Sequence, residues 1–316
     1  MPNSWLAALR RRSPIGSGLW SAKHKPSEPG DHRATEMAAR TADLGVARPF
    51  RPAATGDEPA KTAATCPVCG GTAAEFFAAR YVDVAKCGSP DCGHLWAVNA
   101  ARRQGVQSVA DPDAYGRFYA ARNRDLARFF QSREFPPAGG RLLEMGAGTG
   151  HLIEFLRRRD PAIQIVAVEA DEASLARLRR LGFEAFATLE EAPGPFDAIN
   201  LVEVIEHIDD PVGLLRALHA KLSPGSRLFC TTPCGETRTG DRATGAYDEL
   251  EHVQFFTERS LVRSFRIAGF ADFTCETINA LTSKLTPAPA RYLKDVARPL
   301  RSALFGHRHL TGFARA

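Results

Sequence analysis

Leu142-Leu143-Glu144-Met145-Gly146-Ala147-Gly148-Thr149-Gly150 decides the fold. An apolar run delivers the backbone into a loop of alternating glycines, and a helical pattern from His151 to Arg159 follows. A strand, glycine loop and helix in this order form a nucleotide-cofactor site, where the missing side chains let the backbone approach its ligand. A dinucleotide fingerprint would place a third glycine three residues after Gly148, so that helix and strand pack closely around a pyrophosphate, but His151 stands there. The spacing is instead Glu-x-Gly-x-Gly-x-Gly, from Glu144 to Gly150.

The next apolar run, Ile163 to Val168, reads as a second strand and ends at Glu169. A carboxylate has two acceptor oxygens and no donor, so an acid at that strand end matches the two hydroxyls of a ribose. The glycine spacing resembles the first motif of the class I S-adenosylmethionine (SAM)-dependent methyltransferases. That resemblance implies SAM as cofactor, with contacts from Glu144, Gly146, Ala147, Gly148, Gly150, Glu169 and Ala170, and further along the chain from Glu203.

At 316 residues the chain has room for one α/β domain and a smaller unit. Residues 1–65 are rich in Ala, Arg, Pro and Gly without apolar periodicity, and read as a poorly ordered arm. Trp5 to Leu9 is too short for a signal-peptide core and lies on the wrong side of Arg10-Arg11-Arg12. No run approaches the roughly 20 apolar residues of a membrane span, so a cytoplasmic protein is expected. An organelle transit peptide and a start codon set too far upstream both remain open for the Arg-rich start. A formal charge of +5 does not by itself imply a nucleic-acid partner.

Four of the seven cysteines cluster, which fits metal ligation better than a disulfide framework. Cys66-Pro67-Val68-Cys69-Gly70-Gly71 has the spacing of a zinc knuckle, and Cys87 and Cys92 supply a second pair beyond a hairpin-length stretch, Phe76 to Lys86. Four thiolates would complete a tetrahedral structural zinc site, with His94 as the alternative to Cys92. So small a unit needs its metal to fold. A CPxCG ribbon before such a domain is similar to arrangements in bacterial methyltransferases of small-molecule and sugar pathways, and in some that act on ribosomal RNA.

Beyond the glycine loop, the pattern predicts helices at 151–159 and 173–181, a third strand at 183–186, a fourth at 198–202 and a fifth at 226–232. Thr257 then caps a helix with Ser260 at its third position, and strands follow at 272–279 and 309–314. An amphipathic helix at 113–135, carrying Tyr115, Phe118, Tyr119, Phe129 and Phe130, precedes the series. This alternation gives the α/β class: a Rossmann-like, seven-stranded, mostly parallel sheet with helices on both faces and an antiparallel edge. The expected organisation is an arm at 1–65, a zinc-ribbon module at 66–98 and a methyltransferase domain at 110–316, with a lid or insert at about 281–306.

Glu203-Val204-Ile205-Glu206-His207 resembles the EVxEH segment of the ubiquinone-type O-methyltransferases. If the turn is helical, Glu203 and His207 share a face with Glu206 beside them. One reading is a magnesium site near the acceptor, held by carboxylate oxygens. The other, favoured, is support of the cofactor, with His207 capping backbone. Glu251 to Thr257 is similar to the group's histidine segment before the last large helix, making His252 a candidate base and His207 a second catalytic candidate. The loop Gly235 to Glu249 is the expected acceptor contact. The basic amphipathic stretch 291–305 offers a peripheral membrane contact, an acidic-partner surface or a lid, with a solvated surface helix the favoured reading. Cys230, Cys234 and Cys275 read as inert buried thiols.

The resulting expectation is transfer of a methyl group from SAM to a small-molecule acceptor, at a hydroxyl oxygen. Sugar C-methylation, RNA methylation gripped by the ribbon, and SAM sensing without catalysis are the alternatives. A nucleic-acid partner is disfavoured because Cys66 to Trp96 lacks a dense basic and aromatic face. Oligomeric state has no readable signal.

Overall fold

The computed structural model describes residues 65–79, 82–98, 129–236, 251–279 and 308–316, together with Asn123 and Leu126. The arm before Thr65, the aromatic positions Tyr115, Phe118 and Tyr119, the acceptor loop beyond Glu236 and the basic stretch 291–305 lie outside the described residues.

Three short strands open the described chain: β1 (Ala73–Ala78), β2 (Asp83–Cys87) and β3 (Leu95–Val98), joined as an antiparallel meander. Then come β4 (Arg141–Met145), α1 (His151–Arg159), β5 (Gln164–Val168), α2 (Glu172–Arg180), β6 (Glu184–Phe186) and β7 (Phe196–Val202). A 3-10 turn at Ile205–His207 leads to α3 (Pro211–Ala220) and β8 (Leu222–Pro233). In the described residues from 251 onward follow β9 (Gln254–Phe255), α4 (Glu258–Ala268), β10 (Asp272–Asn279) and β11 (Arg308–Arg315).

Seven strands form one sheet in the order β10-β11-β8-β7-β4-β5-β6. Pairing is parallel from β6 to β8 and antiparallel at β8–β11 and β11–β10, the mostly parallel Rossmann-like architecture with its antiparallel edge. The central strands are buried on both faces, as parallel sheets require, so they read as continuous apolar runs. Along β4 and β7, Leu143, Ile199 and Leu201 pack toward α3 and α4. Leu142, Ala198 and Val202 pack toward α1 and α2 on the other side.

Local chemistry sets the helix starts. The Asp171 carboxylate accepts from Ser174 N–H, so α2 begins at Glu172, one residue before its expected start. Thr257 and Ser260 form a reciprocal capping box at α4, as the sequence indicates. The helix containing Leu126, Phe129 and Phe130 closes an aromatic cluster in which Phe229 touches Phe129, Phe130, Phe135 and Phe313. No helix among the described residues is long and apolar enough to cross a membrane.

One pairing is absent from the sequence reading. The residues after His252, taken there as a lead-in to the helix, form β9, which adds to β3 as the fourth strand of the small sheet β1-β2-β3-β9. The cysteine module and the large domain also share one buried cluster, with Cys66, Val68, Cys92 and Trp96 joined to Phe256, Leu261 and Phe265.

Phe229 is fully buried at the centre of the aromatic cluster. Phe229→Ala is expected to cost about 3–5 kcal/mol through lost burial and a residual cavity. Thermal unfolding should show a midpoint drop on the order of 10 °C.

Candidate functional site

Met145, the last residue of β4, is level with Val168 of β5 and Leu201 of β7, so three parallel strands end together. Ligands of such sheets bind beyond these carboxyl ends. The glycine loop leaves β4 here, and the amides of Gly146 and Ala147 both donate to Val168 O, at 2.9 and 3.0 Å. Gly146 has φ +69°, and an added Cβ would lie 2.5 Å from Val204 Cγ2. Gly148 also has positive φ but faces open space.

Glu169 sits at the β5 end, buried, and its carboxylate organises the loop. Oε2 accepts from Gly148 N–H at 2.5 Å and Oε1 from Asp171 N–H at 2.8 Å. Each carboxylate oxygen has a second lone pair, so these bonds leave acceptor capacity. Glu144 points into the interior, where its Oε2 accepts from Asn200 Nδ2 at 2.8 Å.

The EVxEH segment departs from the helical turn considered above. Glu203 has φ +55°, a left-handed conformation unusual for a side-chain-bearing residue, and only Ile205–His207 is helical. Glu203 and His207 therefore do not share a face. The Glu203 carboxylate instead accepts from His309 Nε2 at 3.0 Å, while buried Glu206 accepts from Thr232 Oγ1 at 2.9 Å. His207 Nδ1 donates to Glu251 O at 3.1 Å, a backbone carbonyl on another segment.

What converges is Glu206, His207 and His252, each offering one ligand atom within 4.8 Å of the others. The rings of His207 and His252 meet edge to face with centroids 4.8 Å apart. Two imidazole nitrogens and one carboxylate do not fit magnesium, which takes oxygen ligands and keeps several waters. No step is assigned to that ion. His309 was missed because it approaches Glu203 only through the β11–β8 pairing, 106 residues away in sequence.

In the cysteine module, Cys66 Sγ lies 3.9 Å from Cys92 Sγ and Cys69 Sγ 3.5 Å from Cys87 Sγ, with all four sulfurs within 4.8 Å. A tetrahedral zinc thiolate site, with Zn–S of about 2.3 Å, has sulfurs about 3.8 Å apart. The donor set and spacing fit that ion. The Cys92 thiol donating to Cys66 favours the Cys66 thiolate, whereas the same bond and burial push Cys92 up. His94, the alternative ligand, is excluded: its ring nitrogens lie 3.2 Å from Ser260 Oγ and 2.9 Å from Gln254 Oε1. Burial holds its pKa down at about 4 against the opposing Gln254 bond, so it is neutral. Cys230 and Cys234 are buried as expected, whereas Cys275 is only half-buried; burial raises the thiols of Cys230 and Cys275.

A methyltransferase-domain sequence profile matches residues 115–274, half of the chain. The chain belongs to the methyltransferase-domain family. Its domain is that of a SAM-dependent methyltransferase, and the glycine loop and following strands lie within the matched region. The chain is 34% identical over 110 residues to the ubiquinone biosynthesis O-methyltransferase of Xylella fastidiosa strain 9a5c, a match covering 32% of this chain and 45% of the relative. It is 31% identical over 104 residues to the protein of that name from Pseudomonas aeruginosa LESB58, covering 30% and 45%. The match spans less than half the length of these relatives. Among solved structures, a SAM-dependent methyltransferase from Archaeoglobus fulgidus aligns with TM-score 0.46 at 19% identity, over 64% of this chain and 99% of that one.

A methyl group at Gly146 meets both an unfavourable φ and the Val204 side chain, whereas one at Gly148 meets only the φ. Gly148→Ala is expected to cost about 1–2 kcal/mol. Gly146→Ala should cost more, and denaturant midpoints of the two variants will rank them.

Proposed function

We propose that the protein transfers a methyl group from SAM to a hydroxyl oxygen of a small-molecule acceptor, with His252 as general base. The observation that carries this reading is that the glycine loop is bonded to Glu169 at the strand ends and packs, at Gly146, on Val204, three residues before the His207 whose ring meets His252. The matched relatives are named as O-methyltransferases, which favours oxygen over carbon as the acceptor atom.

SAM supplies a methyl carbon already activated on a sulfonium. In this reading the loop from Gly146 to Gly150 lies against the cofactor, and Glu169, flanked by Ala170, takes the ribose hydroxyls on its remaining lone pairs. Glu144 and Glu203 act from behind, Glu144 through Asn200 and Glu203 through His309. The Glu251 carbonyl fixes the proton of His207 on Nδ1 and orients that ring against His252. His252 takes the acceptor's proton as its oxygen attacks in line. Attack of an oxyanion on a cation removes both charges, so a water-poor site favours the transition state. Orientation is worth about 7–11 kcal/mol and the base about 10²-fold or more in rate.

The four cysteines hold structural zinc in this reading, and the module at 66–98 belongs to the domain at 110–316 as a buttress. RNA gripping by the ribbon is the weaker reading because Trp96 is buried and the β3 edge is occupied by β9. A small-molecule acceptor is the partner, reached through the loop after Glu236.

Calorimetric titration with SAM and its demethylated product, with metal analysis of the same sample, tests both parts. Saturable SAM binding, weakened at least about tenfold by loss of two charge-assisted bonds in folded Glu169→Ala, and one zinc per chain are expected. A folded wild-type protein that binds no SAM overturns the enzymatic reading. With catechol as trial acceptor, His252→Ala should lower kcat about 10²-fold while SAM affinity holds.

A further inference from the structure

We propose that His94, in the cysteine module, is a positioning residue for methyl transfer, acting through Gln254 on the turn of His207 and the strand of His252. The proposal rests on the reading of His252 as the base. His94 is wholly buried, and each ring nitrogen faces the large domain. Gln254 Nε2 donates to Ile208 O at 2.9 Å and Asp209 O at 3.2 Å, which leaves Oε1 as an acceptor. His94 therefore carries its proton on Nε2, and its Nδ1 faces the Ser260 hydroxyl, whose single proton is shared between that nitrogen at 3.2 Å and Thr257 O at 3.1 Å. One side of the module thus fixes the amide that clamps the end of the 3-10 turn, immediately after His207.

The backbone makes the same connection independently. Val253, the residue between His252 and Gln254, donates its N–H to Glu206 O at 2.9 Å, and its carbonyl accepts from Ala97 N–H at 2.9 Å. The strand carrying His252 is therefore held between β3 of the module and the turn carrying His207. Thr257 Oγ1 donates to Cys92 O and Arg259 to Pro90 O, tying the start of α4 to the cysteine loop. His94 lies two residues after Cys92, so an ion held by the four thiolates would fix the loop from which this network begins. A displacement of about 1 Å at reacting groups costs on the order of 10²-fold in rate, so a remote clamp of this kind acts on turnover rather than on cofactor affinity.

The test uses the full chain with isotope-labelled histidine. It has nine histidines, and loss of signal in His207→Ala and His252→Ala assigns the two ring resonances. His94→Ala is expected to shift both resonances and to lower kcat on catechol at least about tenfold, with SAM affinity unchanged. His94→Gln, which restores a donor and an acceptor, should return the resonances toward their wild-type positions and recover part of kcat. Wild-type ring signals and wild-type kcat in folded His94→Ala overturn the proposal. So does a loss shared equally by SAM affinity and every histidine signal that His94→Gln does not rescue. If His94→Ala fails to fold, Gln254→Met, of similar length and apolar, is read by the same outcomes. A wild-type protein that methylates no catechol refutes the acceptor assignment, while the ring resonances still decide the role of His94.

Discussion

The level ending of three parallel strands is the constraint on which the site depends. With Met145 paired to Val168 on one side and Leu201 on the other, the chain must turn at one height from each strand. The turn from β4 is open to glycine alone at Gly146, because Val204 from the β7 end fills the space a side chain would need. The turn from β5 places Glu169, whose carboxylate takes amides from the glycine loop and from its own strand end. Each turn is thus shaped by its neighbour. The site follows from sheet register, and loop sequence only selects what can fit there.

A second level of organisation comes from the cysteine module. A unit of three short strands has too little apolar surface to stand alone and takes its stability from a metal or a larger body. Here the shared core with Phe256, Leu261 and Phe265 gives it the larger body, and the spacing of its four sulfurs fits the metal. The cost is a buried polar contact, the His94 ring, and it is offset by bonds at both nitrogens to groups that are themselves fully engaged. A buried network of this kind tolerates one arrangement only, because an orphaned donor or acceptor costs about 1–3 kcal/mol. That selectivity makes the module a means of fixing the His252 segment as well as of stabilising the fold.

The cofactor-side elements were legible because they are local. The glycine spacing, the acid after β5, the Thr257–Ser260 capping box and the Cys66–Cys69 pair each need only neighbouring residues, and each has the form the spacing implies. The conditional helical turn after β7 did not survive. Glu203 is drawn into a left-handed conformation, its amide bonded to Thr231 O and its carboxylate to His309. A local periodicity argument carries no information about a partner brought in by the last strand. The role of His94 was hidden for the same reason: proximity to Cys92 made it look like a ligand, while its actual partners, Gln254 and Ser260, are at least 160 residues away.

The sequence by itself determined the fold class, the glycine loop and the four-sulfur cluster, because hydrophobic period, glycine placement and cysteine spacing act over a few residues. Tertiary structure alone decided which polar groups meet. Glu206 with His207 and His252, Glu203 with His309, and His94 with Gln254 are all set by strand pairing and by the packing of one module on another. Hydrogen-bond partners across a sheet are chosen by register, and register is a property of the whole sheet.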